Sequence, residues 1–222
     1  VVPLGRRERT AVEYVMAFKG GRGPTLLGEE STRDTVSDEC REASLAFVSG
    51  AAGGWDKLDL VMWLTGPYAR AVRHSQHGER VADLMGSGEI DEEALAEVVA
   101  RARAQVVASL ERAVLEDGAL DFAADAVQRG LIRTAVDLDG EEVWIPVDSA
   151  RMRLRDRVRS LFAADYLNRP EAYATLYVCH RCENVVFDEG AKRLGSCNAH
   201  RRISGIVPRG TEPKGERAVG EE

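Results

Sequence analysis

The feature that most constrains this chain is the stretch VCHRCENVVFDEGAKRLGSCNAH, residues 178 to 200, which gathers three of its four cysteines and two of its four histidines. Cys179 and Cys182 are separated by two residues, fourteen follow, and Cys197 and His200 are again separated by two. Each x-x spacing lets a tight turn aim two donors at one point, and the intervening stretch is long enough to bring a second turn opposite the first. Three sulfurs and an imidazole converging in this way suit tetrahedral zinc, with sulfur at about 2.3 Å and nitrogen at about 2.0 Å. His180 is a rival fourth donor, but Cys179 and Cys182 already use its turn, whereas His200 completes the symmetric pattern.

The donor count predicts a structural site. A catalytic zinc keeps three protein ligands and leaves a position for water, while four good ligands close the shell. Three thiolates and a neutral histidine also leave the centre with a net charge of -1, which makes it a poor Lewis acid. Arg181, Arg193, Arg201 and Arg202 stand close enough in sequence to offset that charge or donate to sulfur. Zinc deaminases instead pair His-x-Glu with Pro-Cys-x-x-Cys. His77-Gly78-Glu79 and Cys179-x-x-Cys182 give only part of that pattern, since Val178 replaces the proline and Cys197 and His200 go unused.

Around the donors, LYV at 176–178 enters the first turn, VVF at 185–187 leaves it, and Gly195 permits a sharp approach to Cys197. Asn184 is the expected left-handed residue of the turn. Over about residues 175–202 the arrangement resembles the zinc-ribbon family of small modules. That resemblance implies Cys179, Cys182, Cys197 and His200 as ligands of a structural Zn2+. The chain departs from the ribbon pattern at Glu183, where a small residue or glycine is common, and in having histidine as the fourth ligand.

Reduced thiols at these positions agree with an intracellular chain, because a disulfide between near neighbours such as Cys179 and Cys182 removes little unfolded-state entropy. No stretch approaches the roughly 18 apolar residues of a membrane span, and VVPLGRRERT has no apolar core of a secretory signal. The expected location is therefore cytoplasmic. A length of 222 residues, with 44% hydrophobic and 30% charged, allows one large domain plus a small appended module. A net charge of -7 argues against a surface built entirely for nucleic acid, though not against a local basic face.

The rest of the chain reads as mainly α with one β-hairpin. Residues 1–9 are expected to be a flexible N-terminus, 10–168 a helical domain, 170–207 the zinc-ribbon module and 208–222 a flexible tail. The glycine-rich GGRGP at 20–24 lacks the phosphate-loop order and reads as a turn. Val36, Cys40, Ser44 and Phe47 fall on one helical face, which makes Cys40 a core thiol. Asp56 caps a helix through Leu58, Leu60, Val61, Trp63 and Leu64 that is apolar nearly all round and so expected to be buried. Gly66-Pro67 then separates it from a further helix carrying His74 and His77, an i, i+3 pair with no third ligand beside it.

Asp91 opens the clearest element, a helix to about Glu116 in which Leu95, Val98, Val99, Ala102, Val106, Leu110 and Val114 recur at three- and four-residue steps. It is long enough to be the spine of the domain or a homodimer seam. A helix over Leu120–Arg129 leads into a hairpin over 131–147, turning at Asp137-Leu138-Asp139-Gly140. Helix plus hairpin outlines a winged-helix DNA reader, but Asp121 and Asp125 on the helix are poor chemistry against phosphate. Ser149 is the expected cap of the next helix. Along it Arg151, Arg155 and Arg159 form a stripe, with Arg153 and Arg157 in a second row. That stripe is either paired with the protein's own carboxylates or a docking face for an acidic partner or a nucleic-acid backbone.

No order of residues for nucleophilic, paired-carboxylate or dinucleotide chemistry stands out. The sequence therefore points to a non-enzymatic adaptor or regulatory subunit working through protein contacts. The alternative is a nucleic-acid-associated or transcription-related protein that uses Arg151, Arg155, Arg159, Arg193, Arg201 and Arg202. An enzyme would have to work through residues such as His77 or Glu79.

Overall fold

In this computed structural model the described residues are 25–28, 31–75, 92–116, 120–149 and 152–201. They form strand β1 (Thr25–Leu26), helix α1 (Arg33–Gly50) with a 3-10 turn at Ala51–Gly53, and helices α2 (Lys57–Trp63), α3 (Glu92–Leu115) and α4 (Asp121–Gln128). Strands β2 (Ile132–Val136) and β3 (Glu142–Pro146), helix α5 (Leu154–Asn168) and a 3-10 segment at Pro170–Thr175 follow. Strands β4 (Leu176–Val178) and β5 (Val185–Phe187) and the short helices α6 (Glu189–Leu194) and α7 (Asn198–Arg201) complete the order. The architecture is mainly helical, as the periodicities imply, with antiparallel hairpins where the two β-prone regions lie. Among the described residues no helix is long and apolar enough to cross a membrane.

Helix α1 starts where Thr32 accepts a hydrogen bond from the Thr35 amide at 3.3 Å, and it buries Val36, Cys40, Ala43 and Phe47 as one stripe. Cys40 is fully buried, and burial pushes its thiol up, so it is an inert core group. Helix α5 lies against α1 and is buried nearly all round, with Val158, Leu161, Phe162, Ala163 and Ala164 inside. Its buried charges are each paired: Asp156 with Arg129, Arg157 with Asp148 and the Tyr68 hydroxyl, and Asp165 with Arg41.

Three sequence expectations are corrected here. Helix α2 has the capping box read from Asp56, with Asp59 as the reciprocal partner, but it is not buried all round. Leu60 and Trp63 face inward while Leu58 and Met62 are 64% and 62% exposed, because only one side of the helix meets α1 and its neighbours. Nor does Pro67 start a new helix. The chain widens into a π-helical turn at Leu64–Tyr68 and runs on through Ala69–Ala71. The wider turn accommodates a ring that has no N–H, and it carries Tyr68 onto Trp63, ring centroids 4.9 Å apart.

Ser149, finally, does not cap α5. Its carbonyl accepts from the Met152 amide at 2.9 Å and from Arg157 Nη2 at 2.6 Å, which holds a turn ahead of the helix, and α5 begins only at Leu154.

The β2–β3 hairpin turns as read. Asp137 Oδ1 accepts from the amides of Asp139 and Glu141 at 3.1 and 2.8 Å, and Gly140 adopts φ 82°, where a side chain would be strained. Strand β1 adds in parallel to β2, pairing Thr25 with Ala135 and Leu26 with Val136. Only long-range pairing defines so short a strand, and the local sequence carries no sign of it. GGRGP, His77-Gly78-Glu79 and the tail from 208 lie outside the described residues.

Candidate metal centre

Strands β4 and β5 place the first pair of donors. Alternation along β4 sends Leu176 and Val178 into the main core with Val185, and sends Tyr177 to the opposite side. Cys179 continues the second set, two residues after Tyr177, and with Ala191 and Cys197 it forms a small core of its own. The turn closes through Glu183 N–H donating to the Cys179 carbonyl at 2.7 Å and Cys179 N–H donating to the Asn184 carbonyl at 2.9 Å. Its left-handed residue is Glu183, φ 53°, not Asn184.

The second pair sits on helical turns instead of a second β knuckle. Asp188 caps α6 by accepting from the Ala191 amide at 3.1 Å, and α6 ends at Gly195, φ 64°, which redirects the chain as its position implied. Cys197 then precedes α7, whose first turn carries His200, and the His200 amide donates to the Cys197 carbonyl at 2.9 Å.

These elements bring Cys179, Cys182, Cys197 and His200 together, with one potential ligand atom from each and all four atoms within 4.8 Å of one another. His200 Nδ1 lies 3.4 Å from Cys179 Sγ and 3.3 Å from Cys197 Sγ, and the sulfurs of Cys182 and Cys197 are 3.7 Å apart. His180 is exposed, packs its ring edge against Tyr177 with centroids 6.1 Å apart, and is not in the cluster. The cluster can hold a metal ion.

Its electrostatics favour one. Burial opposes ionisation of Cys179, but the backbone amides of Cys197, Arg181 and Cys182 outweigh it and bring that thiol down to about 5. Burial pushes Cys182 up to about 11, and the Cys179 thiolate adds to the shift against the Asn184 amide. One thiolate thus suppresses the next until a cation supplies opposing charge, and loading the site releases protons.

The arginine candidates divide. Arg193 is exposed on α6. Arg155 is turned onto Asp156 and Gln105, and Arg159 onto Ser109 at 2.8 Å with its guanidinium over the Phe122 ring. Arg157 of the second row is buried in its pair with Asp148. Arg201 closes α7, while Arg151 and Arg202 lie outside the described residues. His74 contacts Ser31 at 3.2 Å and is not in the metal cluster, and its proposed companion His77 lies outside the described residues.

Arg103 is the residue that sequence reasoning missed. Only 8% exposed, it donates from Nε to the Val48 carbonyl at 2.8 Å, from Nη1 to Glu183 Oε2 at 2.6 Å and from Nη2 to the Glu183 carbonyl at 3.4 Å. A signal was there, since position 103 falls four residues after Val99 on the buried stripe of α3, where a charge has to be paired. Compared with protein-family models, with curated proteins and with solved structures, the chain matches none of them.

Proposed function

We propose that this chain is an intracellular adaptor or regulatory subunit whose C-terminal module, a zinc-ribbon variant, is folded by one structural Zn2+ and makes protein contacts. The convergence of Cys179, Cys182, Cys197 and His200 Nδ1 carries the reading. A tetrahedron with metal–sulfur bonds of about 2.3 Å and a metal–nitrogen bond of about 2.0 Å has sulfur–sulfur edges of about 3.8 Å and sulfur–nitrogen edges of about 3.5 Å. The separations of 3.7, 3.4 and 3.3 Å lie close to those edges. Borderline-soft donors of this kind select zinc over hard cations, and four of them leave no position for water, so the role is structural.

For the protein partner, the exposed Arg193 and its neighbour Leu194, 58% exposed, offer charge and apolar area together on α6, which suits an acidic partner with an apolar anchor. Arg155 and Arg159 are already engaged inside the chain, so the protein-contact reading draws on the module more than on the arginine stripe.

Elemental analysis of the purified chain is expected to give about one zinc per molecule, with Cys197→Ser and His200→Ala each lowering occupancy and stability. Full occupancy after both changes would sink the zinc assignment. Affinity purification from the native cell should recover a protein partner that Arg193→Glu releases. Binding to DNA or RNA at low salt, where phosphate contacts are strongest, would replace the adaptor reading with a nucleic-acid one.

A further inference from the structure

We infer that Arg103 and Glu183 form a clamp that transmits metal occupancy from the module to the helical body, an inference that rests on the zinc reading above. Glu183 directly follows Cys182 and is the single described non-glycine residue with positive φ, at 53°. For a residue with a Cβ that conformation costs about 1–2 kcal/mol, so something must hold it. Two things do. The Glu183 amide closes the turn on the Cys179 carbonyl, and Arg103 takes both the Glu183 carboxylate and the Glu183 carbonyl.

The same guanidinium reaches the other way. Its Nε donates to the carbonyl of Val48, which lies in the last turn of α1, where helical carbonyls lack intrahelical partners and the dipole favours a cation. One buried side chain on α3 thereby ties the end of α1 to the turn that carries two of the four metal ligands.

Metal binding fixes Cys179 and Cys182, and with them the left-handed Glu183. When the metal leaves, the turn relaxes toward right-handed backbone and Glu183 withdraws from Arg103. The guanidinium, anchored in the interior by its stem, then keeps only the Val48 carbonyl, a costly state for a buried charge. The junction of α1 and α3 loosens in response. Coupling of this kind is reciprocal, so removing the clamp weakens metal binding by the same factor.

The test is hydrogen exchange on the full chain, zinc-loaded and chelator-treated, together with zinc affinity by competition with a chromophoric chelator. In the wild type, stripping zinc should speed exchange within 176–201, and also at 47–51 and around 103. Arg103→Met should retain zinc with an affinity lowered about 10-fold, in the range that outer-shell partners contribute, and should lose the response at 47–51. Glu183→Ala, which removes the carboxylate and leaves Arg103 its two carbonyl contacts, should behave in the same direction.

A wild type whose exchange changes only within 176–201 overturns the clamp while leaving the zinc site intact. Variants that keep both wild-type affinity and the remote response do the same. A wild type that binds no zinc overturns both readings together.

Discussion

The helical body and the C-terminal module both bury polar groups, and they surround them in different ways. In the body, fully buried Asp165 accepts from Arg41 Nε at 2.9 Å and Nη2 at 3.1 Å, from the Tyr173 hydroxyl at 2.9 Å and from Ser37, with Arg169 at its edge. Every partner belongs to the protein, and the surrounding core of α1 and α5 keeps water out. In the module, the small core of Tyr177, Cys179, Ala191 and Cys197 has as its polar groups two thiols and the Tyr177 hydroxyl, buried without a hydrogen-bond partner among the described residues. Ionisation of the adjoining Cys182 is opposed by burial and by Cys179. Packing suffices for the first region. The second carries a cluster of three cysteines and one histidine that can hold a metal ion, while the strands beneath it join the core of the body through Leu176, Val178 and Val185.

Removing the metal should break this contrast most severely. On the zinc reading, the metal contributes on the order of 10 kcal/mol or more around the small core of Tyr177, Cys179, Ala191 and Cys197. Chelation is expected to abolish exchange protection in the 179–184 turn, α6 and α7, and to lower it less in β4 and β5, whose Leu176, Val178 and Val185 share the main core, while the α1–α5 core keeps its own cooperative denaturation. Loss of both regions in one transition would show that the body depends on the metal as fully as the module does.

A smaller effect sharpens the other side. Asp165→Ala leaves Arg41, Tyr173 and Ser37 facing an uncompensated interior, a change that typically costs about 3–5 kcal/mol. Denaturant unfolding should show that loss in the body, with zinc content unchanged. A substantial fall in zinc content would mean that the two regions share one stability.

How much of this was legible beforehand follows from how local each interaction is. The donor set, the amphipathic stripes of α1 and α3, the hairpin at Asp137–Gly140 and the redirecting Gly195 are written in neighbouring residues, and the structure places each where its spacing implies, except that Val98 of the α3 stripe is half exposed. Strand β1, the Arg103 clamp and the Asp165 hub join residues far apart in sequence, so periodicity does not reveal them. The exposed side of α2 was misread for a related reason: a helix apolar nearly all round shows that it can be buried, not how much neighbouring surface exists to bury it. Glu183 shows the same limit at one residue. The turn takes a left-handed residue, and the glutamate found there is paired with an arginine 80 positions away.

The mildest perturbation concerns pH and distinguishes the regions by sign. Asp156 is buried, which alone would raise its carboxyl, but the hydrogen bonds and charge of Arg129, with help from Arg155, hold it below the ordinary carboxylate range. A group whose folded pKa is depressed stabilises the fold above its unfolded value, near about 4, and that stability drains away as pH falls through the folded value. The body should therefore hold its stability down to about pH 4 and lose it below, and Asp156→Asn should flatten that fall at a cost of about 1–3 kcal/mol at neutral pH. The module should respond earlier, because protons compete with the metal for Cys182, whose thiol burial pushes up to about 11, at pH values where Asp156 is still ionised. Denaturation followed at several pH values, with released zinc measured alongside, should therefore show metal leaving before the body weakens. Simultaneous loss would remove the proposed distinction between a region held by packing and one held by a metal.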